Sequence, residues 1–499
     1  MKVRSFATII IFSLLLCGLI ACSKGEEERK LNKARTFSWI MTGNLDKERL
    51  VFWDITTAKM PVLDDGRVLA ISGKIERPLG FQSSSELYDP QTGVWSYTGS
   101  LPSGHERDGF SAVTLSNGKI LVVGGRNQDD IFSTLIYDPK TEQWSLTGSL
   151  PWAADGVGAY LLNNGKVLAC GGYNQYIKKY VSSCAIYNPQ TEIWTPVKSM
   201  LNARQGHAGV VLPDGKVLMA GGSSTVPEAG SIEVLSASEI YDPKKDRWVT
   251  TGSLNQPRGH HLRILLNNGK VLAGGGLQFG SAKQAISSSE LYDPATRTWT
   301  MTGSLPAPKG RSAGLLLPDG RVLNTGGRTL GHNWKTLDNC EIYDPVSGIW
   351  SPIASLNIPR DHHGIALLKD NRVLVAGGYN RETWEKKGGG LPSSEIYNLG
   401  IISFNTEVTN NTVKLTWMTT TKTNNFEFEI HKSEDKINFN KVEFLNGKGT
   451  TTKPVLHKYS FIDVNPLLGT FYYRIKQIAA DGSFAYSRII EVQEIEDKK

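Results

Sequence analysis

Seven times along this chain of 499 residues a Gly-Gly or Ser-Gly doublet, a Tyr-Asp-Pro-like turn and a Trp-x-x-x-Gly-x-Leu-like segment recur in that order. The period is about fifty residues, which belongs to repeat architectures and dictates the fold before any other argument. The doublets end at Gly73, Gly125, Gly172, Gly222, Gly276, Gly327 and Gly378, and the turn tyrosines are Tyr88, Tyr137, Tyr187, Tyr241, Tyr292, Tyr343 and Tyr397. Tryptophans follow the first six tyrosines, at Trp95, Trp144, Trp194, Trp248, Trp299 and Trp350, but none follows Tyr397. The missing segment stands at the other end of the chain, where Trp39 to Leu45 (WIMTGNL) matches Trp299 to Leu305 (WTMTGSL). The count closes only if the first strand completes the last unit.

Within each unit, short apolar runs such as Lys216-Val217-Leu218-Met219-Ala220 are separated by turn residues, which predicts four antiparallel strands. Asn117-Gly118, Asp214-Gly215 and Asn268-Gly269 reach positive φ cheaply and form tight hairpins between strands one and two. Four-stranded units in series bury their edges by closing a ring, so the expected architecture is an all-β, seven-bladed propeller closed by an N-terminal strand. The doublet, Tyr and Trp at these spacings resemble kelch repeats, as in the propeller of galactose oxidase and its bacterial relatives. The resemblance covers residues 36–400 and implies that the motif glycines, tyrosines and tryptophans pack one blade on the next.

From Ile401 the doublets stop, and alternating strands continue to the end. Residues 401–499 are predicted to form a small β-sandwich, and Trp417 with Leu467 to Tyr473 resembles a fibronectin type III domain. At the other end, Lys2 and Arg4 precede an apolar stretch from Phe6 to Leu16, and Leu19-Ile20-Ala21-Cys22 resembles a bacterial lipobox. Residues 1–21 are therefore expected to be a lipoprotein signal peptide. Cys22 is expected to carry the lipid and residues 22–35 a charged tether. The localisation that follows is extracytoplasmic, lipid-anchored at the bacterial outer membrane or cell surface. Without Lys2 and Arg4 the formal charge falls from +7 to +5, spread along the chain, which gives nucleic acid binding no support. Cys170 and Cys184 fall on neighbouring strands of one blade, where a disulfide or two buried thiols are both compatible with the spacing; Cys340 sits opposite Thr325.

The connections after the doublets vary in length while the hairpins are uniform, so the variable-loop face is the expected ligand face. Its candidate binding residues are Arg126, Tyr173, Arg328, His332, Trp334, Tyr379, Arg381 and Trp384, aromatic faces beside forked donors that suit a sugar or a peptide. A second candidate ring precedes strand one: Arg204 and His207, Arg258 and His261, and Arg360 and His363 recur at equal spacing and are expected at the mouth of the central channel. The kelch resemblance offers another role for them, hydrogen bonding between blades. Galactose oxidase chemistry requires a Tyr-His pair and a Tyr cross-linked to Cys; the chain has no Tyr-His dipeptide. No cofactor or metal is therefore expected, and no catalytic residue is assigned. The expected function is that of a non-catalytic, surface-anchored, monomeric binding protein for a carbohydrate or a cell-surface protein. The alternative is a carbohydrate-active enzyme related to kelch oxidases or mutarotases.

Overall fold

The computed structural model of the protein describes residues 39–47, 59–76, 79–126, 132–225, 232–279, 283–387, 390–397, 401–409, 412–421, 427–436, 438–447, 455–464, 469–478, 484–487 and 489–493. The predicted signal peptide, Cys22 and the tether lie outside these residues.

Residues Trp39–Phe404 form one compact unit of seven blades. Six blades have four antiparallel strands, and the first in sequence shows three among the described residues. The fourth blade is typical: Ala208–Val211, Val217–Ala220, Ser238–Asp242 and Arg247–Thr251 follow one another outward from the axis. Its second strand is buried along its whole length, because both faces of a blade are covered by neighbours. That is why these strands read as continuous apolar runs. The hairpin glycines Gly118, Gly215 and Gly269 take φ of 81°, 82° and 80°, the conformation expected from their turn sequences.

Trp39–Thr42 is the outermost strand of the last blade, paired antiparallel with Ser394–Tyr397 so that Trp39 faces Tyr397 and Thr42 faces Ser394. The ring is thus clasped by its N-terminal strand, as the displaced tryptophan segment predicted. At the inner end the Met60 amide donates to the Ile365 carbonyl over 2.8 Å and links the first blade to the last.

The repeat residues stitch blade to blade. Within each blade the Tyr and Trp rings lie close, 5.2 Å between centroids for Tyr187 and Trp194. The indole N–H then reaches back to the preceding blade: Trp194 to Thr134 Oγ1, Trp299 to Ser238 Oγ and Trp350 to Ser289 Oγ, at 3.0 to 3.1 Å. The phenol hydroxyls pair with threonines of the preceding blade, as in Thr98 with Tyr137 and Thr147 with Tyr187, each at 2.6 Å. Cys170 and Cys184 lie directly opposite each other across two strands, but as free buried thiols, and Cys340 is also free. The disulfide alternative is therefore corrected: burial and the Cys184 thiol raise Cys170 well above the ordinary thiol range, which favours the protonated, unreactive form.

Asn405–Lys499 is a separate unit. Three strands, Ile401–Thr409, Thr412–Thr421 and Val455–Asp463, form one sheet; Glu427–Ser433, Asn440–Asn446, Phe471–Ile478, Phe484–Tyr486 and Ile490–Val492 form the other. The two meet face to face through Trp417, Phe428 and Tyr459, with Trp417 stacked 5.5 Å from Tyr459 and Phe428 4.7 Å from the same ring.

Candidate functional site: the axial mouth

Blades two to seven each approach their first strand through four residues whose roles are distinct. In the fourth, fifth and seventh blades these are Arg204-Gln205-Gly206-His207, Arg258-Gly259-His260-His261 and Arg360-Asp361-His362-His363.

The first residue is a clamp inside its own blade. The Arg204 guanidinium donates to the carbonyls of Gly221 and Ala237 and to Glu239 Oε1; Arg258 and Arg360 repeat this with Glu290 and Glu395. All three ion pairs are fully buried. Lys309 takes the same place beside Glu341 in the sixth blade. The carbonyl of the clamp residue meanwhile accepts the second doublet amide of the preceding blade, Gly172 to Arg204 and Gly222 to Arg258, both 2.9 Å. This close approach needs glycine: a Cβ on Gly172, at φ 106°, would lie 2.6 Å from the Asp155 carbonyl oxygen.

The fourth residue packs against the doublet of the preceding blade. A Cβ on Gly171, Gly221 or Gly326 would come within 3.1, 3.0 and 2.9 Å of His207, His261 and His363 respectively. The expectation that these arginines and histidines face the channel mouth is therefore corrected. All six side chains are buried in the blades, the guanidinium because its carboxylate partner lies on strand three, the imidazole because it fills the space the doublet leaves.

The mouth itself is built by the two residues between. The second bridges to the first residue after its own doublet: Asp108 to Arg126, Asp155 to Tyr173, Gln205 to Ser223, Gly259 to Leu277, Gly310 to Arg328 and Asp361 to Tyr379. The variable loops are thus stitched to the axial ring, and a cavity of about 720 Å³ opens between them. Arg126, Asp155, Tyr173, Tyr180, Phe279 and Arg311 are among the side chains that line it. Arg126 grips Asp108 with two bonds of 2.7 and 3.1 Å. Burial raises the Asp108 pKa against the opposing pull of Arg126. Asp155 accepts from Gln175 and Gln205, at 3.1 and 2.7 Å, and burial raises its pKa as well.

The eight predicted loop residues divide. Arg126 and Tyr173 line the cavity. Arg328, Trp334, Tyr379, Arg381 and Trp384 form a second cluster on the sixth and seventh blades, which is held largely by itself. The guanidinium carbons of Arg328 and Arg381 each lie 4.9 Å from the Trp334 ring centre, and Tyr379 stacks 5.8 Å from Trp334. Arg381 also donates to the Trp334 carbonyl and to Glu385. The segment Arg381–Lys387 is a short helix, which the loop reading did not predict; the Asn380 side chain caps it by accepting the Thr383 amide at 3.0 Å. His332 is exposed beside this cluster.

Sequence reasoning missed Asp108, Asp155, Gln205, His260 and Arg311. The signal was present: Gln205 and His260 stand between the chosen outer places of their segments, and Asp108, Asp155 and Arg311 stand at the equivalent places in blades two, three and six. Among the described residues no three His, Cys, Asp or Glu side chains converge to hold a metal ion.

Motif, register and ring closure together define a kelch-type β-propeller. The kelch motif is matched directly over residues 109–151 and 162–201. The chain is similar to alpha-scruin of Limulus polyphemus, 28% identical over 171 residues that cover 34% of this chain and 18% of that protein. It is also similar to Kelch-like protein 36 of Rattus norvegicus (26% over 140 residues, 28% and 21% of the two chains) and Kelch-like protein 34 of Homo sapiens (28% over 160 residues, 32% and 24%). These matches span at most about a quarter of the curated relatives. Among solved structures, a fungal alcohol oxidase in complex with copper superposes with a TM-score of 0.58 at 14% identity, over 92% of this chain and 100% of that one. At that identity the likeness is one of fold.

Proposed function

We propose that this is a non-catalytic binding protein whose partner is another protein, docked on the variable-loop face with the axial mouth at its centre and held at a membrane surface through a lipid on Cys22. The observation that carries the reading is the 720 Å³ cavity, whose lining lies apart from the repeated tyrosine, tryptophan and arginine contacts that join strands and blades. A propeller rigidly holds the loops around such a mouth, and binding residues concentrate where a scaffold fixes loops. Kelch repeats build protein-binding propellers, and the matched motifs lie in the blades that supply Gly109, Arg126, Asp155 and Tyr173 to the cavity. An apolar rim adds contact area: Phe132 and Tyr176 are both exposed and stack at 6.3 Å beside the mouth.

A carbohydrate ligand is the second reading, favoured by Tyr173 and Tyr180 edge to face in the wall, 5.2 Å apart at 64°, with Arg126 lining the same cavity.

The test is affinity capture with the full chain, alongside a Tyr173→Ala, Phe279→Ala double variant and a glycan array. A protein retained by the wild type and lost by the variant supports the proposal. Equal retention by both places the contact away from the mouth, and a glycan class bound without any protein transfers the reading to a sugar.

A further inference from the structure

The outer sheet face of the C-terminal unit carries one arginine set apart from the rest. In the strand Phe471–Ile478, Tyr473 and Ile475 are fully buried in the sandwich core, so alternation puts Tyr472, Arg474 and Lys476 on the opposite face. Pairing with Glu427–Ser433 sets Arg474 opposite His431 and Lys476 opposite Glu429. Two rings close on the guanidinium from either side of its strand. Its Cζ lies 4.0 Å from the centre of Phe439, which precedes the edge strand Asn440–Asn446, and 4.0 Å from that of Tyr486 on the strand beyond.

The neighbouring cations are matched to carboxylates, and Arg474 is not. Lys436 meets Glu491 at 3.2 Å, Lys476 and Lys441 share Glu429 at 3.1 and 3.7 Å, and His431 Nε2 lies 3.1 Å from the same carboxylate. Among the described residues Arg474 has neither an ion pair nor a hydrogen bond, and its Nε is buried without a partner. Burial lowers the Arg474 pKa, and the influence opposing that shift is the Tyr486 phenol rather than a carboxylate. The fully buried guanidinium groups of the propeller, Arg204, Arg258 and Arg360, each carry their own glutamate. A half-buried guanidinium stacked between rings keeps its N–H edge for a group from outside the chain.

We propose that this face is a second binding site, for an acidic polysaccharide built of uronate units, with Arg474 as its central contact. A planar fork suits a carboxylate, which accepts two parallel N–H bonds from it, and the stacked rings hold the fork in one orientation. A sugar is favoured over an acidic peptide because the cations stand beside aromatic faces. Lys441 Nζ lies 5.7 Å from the centre of the Phe444 ring, itself 40% exposed, and Lys436 Nζ lies 4.7 Å from that of Tyr472. A pyranose offers such a surface an apolar side next to its carboxylate, whereas aspartate and glutamate offer the carboxylate alone. Recurrence of the cation–ring couple across the sheet fits a polymer with one carboxylate on each sugar ring. The site stands on the C-terminal unit alone and is independent of the partner proposed for the axial mouth.

The experiment follows the fluorescence anisotropy of fluorescein-labelled oligogalacturonate with the full chain, using its methyl ester and oligoglutamate as comparison probes; unfolding temperatures are measured for every variant. The expected result is binding of oligogalacturonate that the methyl ester loses, weakened by about tenfold or more in Arg474→Gln, a difference of about 1.4 kcal/mol. Arg474→Lys keeps the charge without the fork and should also weaken binding; it decides the matter if Arg474→Gln proves unfolded. Tyr173→Ala, Phe279→Ala, which alters the axial mouth, should bind the polymer as the wild type does. No binding by the wild type, equal binding of the methyl ester, tighter binding of oligoglutamate, or full retention by a folded Arg474→Gln or by Arg474→Lys would overturn the site. Loss of the polymer by Tyr173→Ala, Phe279→Ala would place the sugar in the mouth and overturn it as well.

Discussion

Acidification is expected to unfold the propeller through its histidines, with stability falling steeply once the pH drops below 6.5. His207, His260, His261 and His363 are held well below the ordinary histidine value of 6.5, burial being the largest cause in each and neighbouring cations adding to it. His362 is lowered to about 4 by burial, against the opposing pull of Asp361. A depressed histidine pKa means that the folded state binds fewer protons than the unfolded chain below 6.5, so stability is complete above that value and is lost as the pH falls toward the folded pKa. Each group contributes up to about 1.4 kcal/mol per pH unit in that window. Burial also raises the carboxyl pKa values of Asp108, Asp155 and Glu341, which gain stability on protonation, but these are three groups against five. Since whole domains are stable by only about 5 to 15 kcal/mol, a loss of several kcal/mol between pH 6.5 and about 5 is decisive. Thermal unfolding followed across this range should show the descent; an unfolding temperature that stays level would contradict the burial of these imidazoles.

Arg360→Ala is expected to cost about 3 to 5 kcal/mol, because it strands a fully buried carboxylate. Arg360 donates to the carbonyls of Gly377 and Ser393, to Ser393 Oγ and to Glu395 Oε1, at 2.7 to 3.0 Å, and so ties strands two and three of the clasped blade. Glu395 also accepts the amides of Asn357 and Ile358. Arg360→Met combined with Glu395→Leu should recover part of the loss, since it removes both charges at once. Chemical denaturation of the three proteins checks this. A single variant as stable as the wild type, or a double variant less stable than Arg360→Ala, would show that the pair is not the clamp the geometry describes.

The propeller was legible because its determinants are local and repeated. The displaced segment at Trp39 identified the closing strand, and doublet, tyrosine and tryptophan each serve a contact that recurs blade after blade. Of the first residues after the doublets that were read as ligand-face positions, Arg126 and Tyr173 line the cavity, whereas Arg328 and Tyr379 belong to the cluster around Trp334. What the sequence did not reveal is where side chains with the same spacing point. Arg204 and His207 recur as regularly as any ligand would, and regularity across blades is a mark of packing; the irregular positions between them, glycine in three blades and His260, Arg311 and His362 in three others, carry the individuality of this chain. Trp334 looked available because exposure of an aromatic cannot be separated in sequence from its capture by Arg328, Arg381 and Tyr379, whereas Trp384 meets Tyr379 and stays exposed.

Hydrogen exchange of the full chain, free and bound to the protein it captures, tests the central claim most directly. Protection is predicted at Tyr173 to Tyr180, at Arg258 to Leu262 and at Leu277 to Phe279, the segments that surround the axial mouth. Protection confined to the hairpin face around Asp214 to Lys216, or to Trp334 through Trp384 alone, would contradict it.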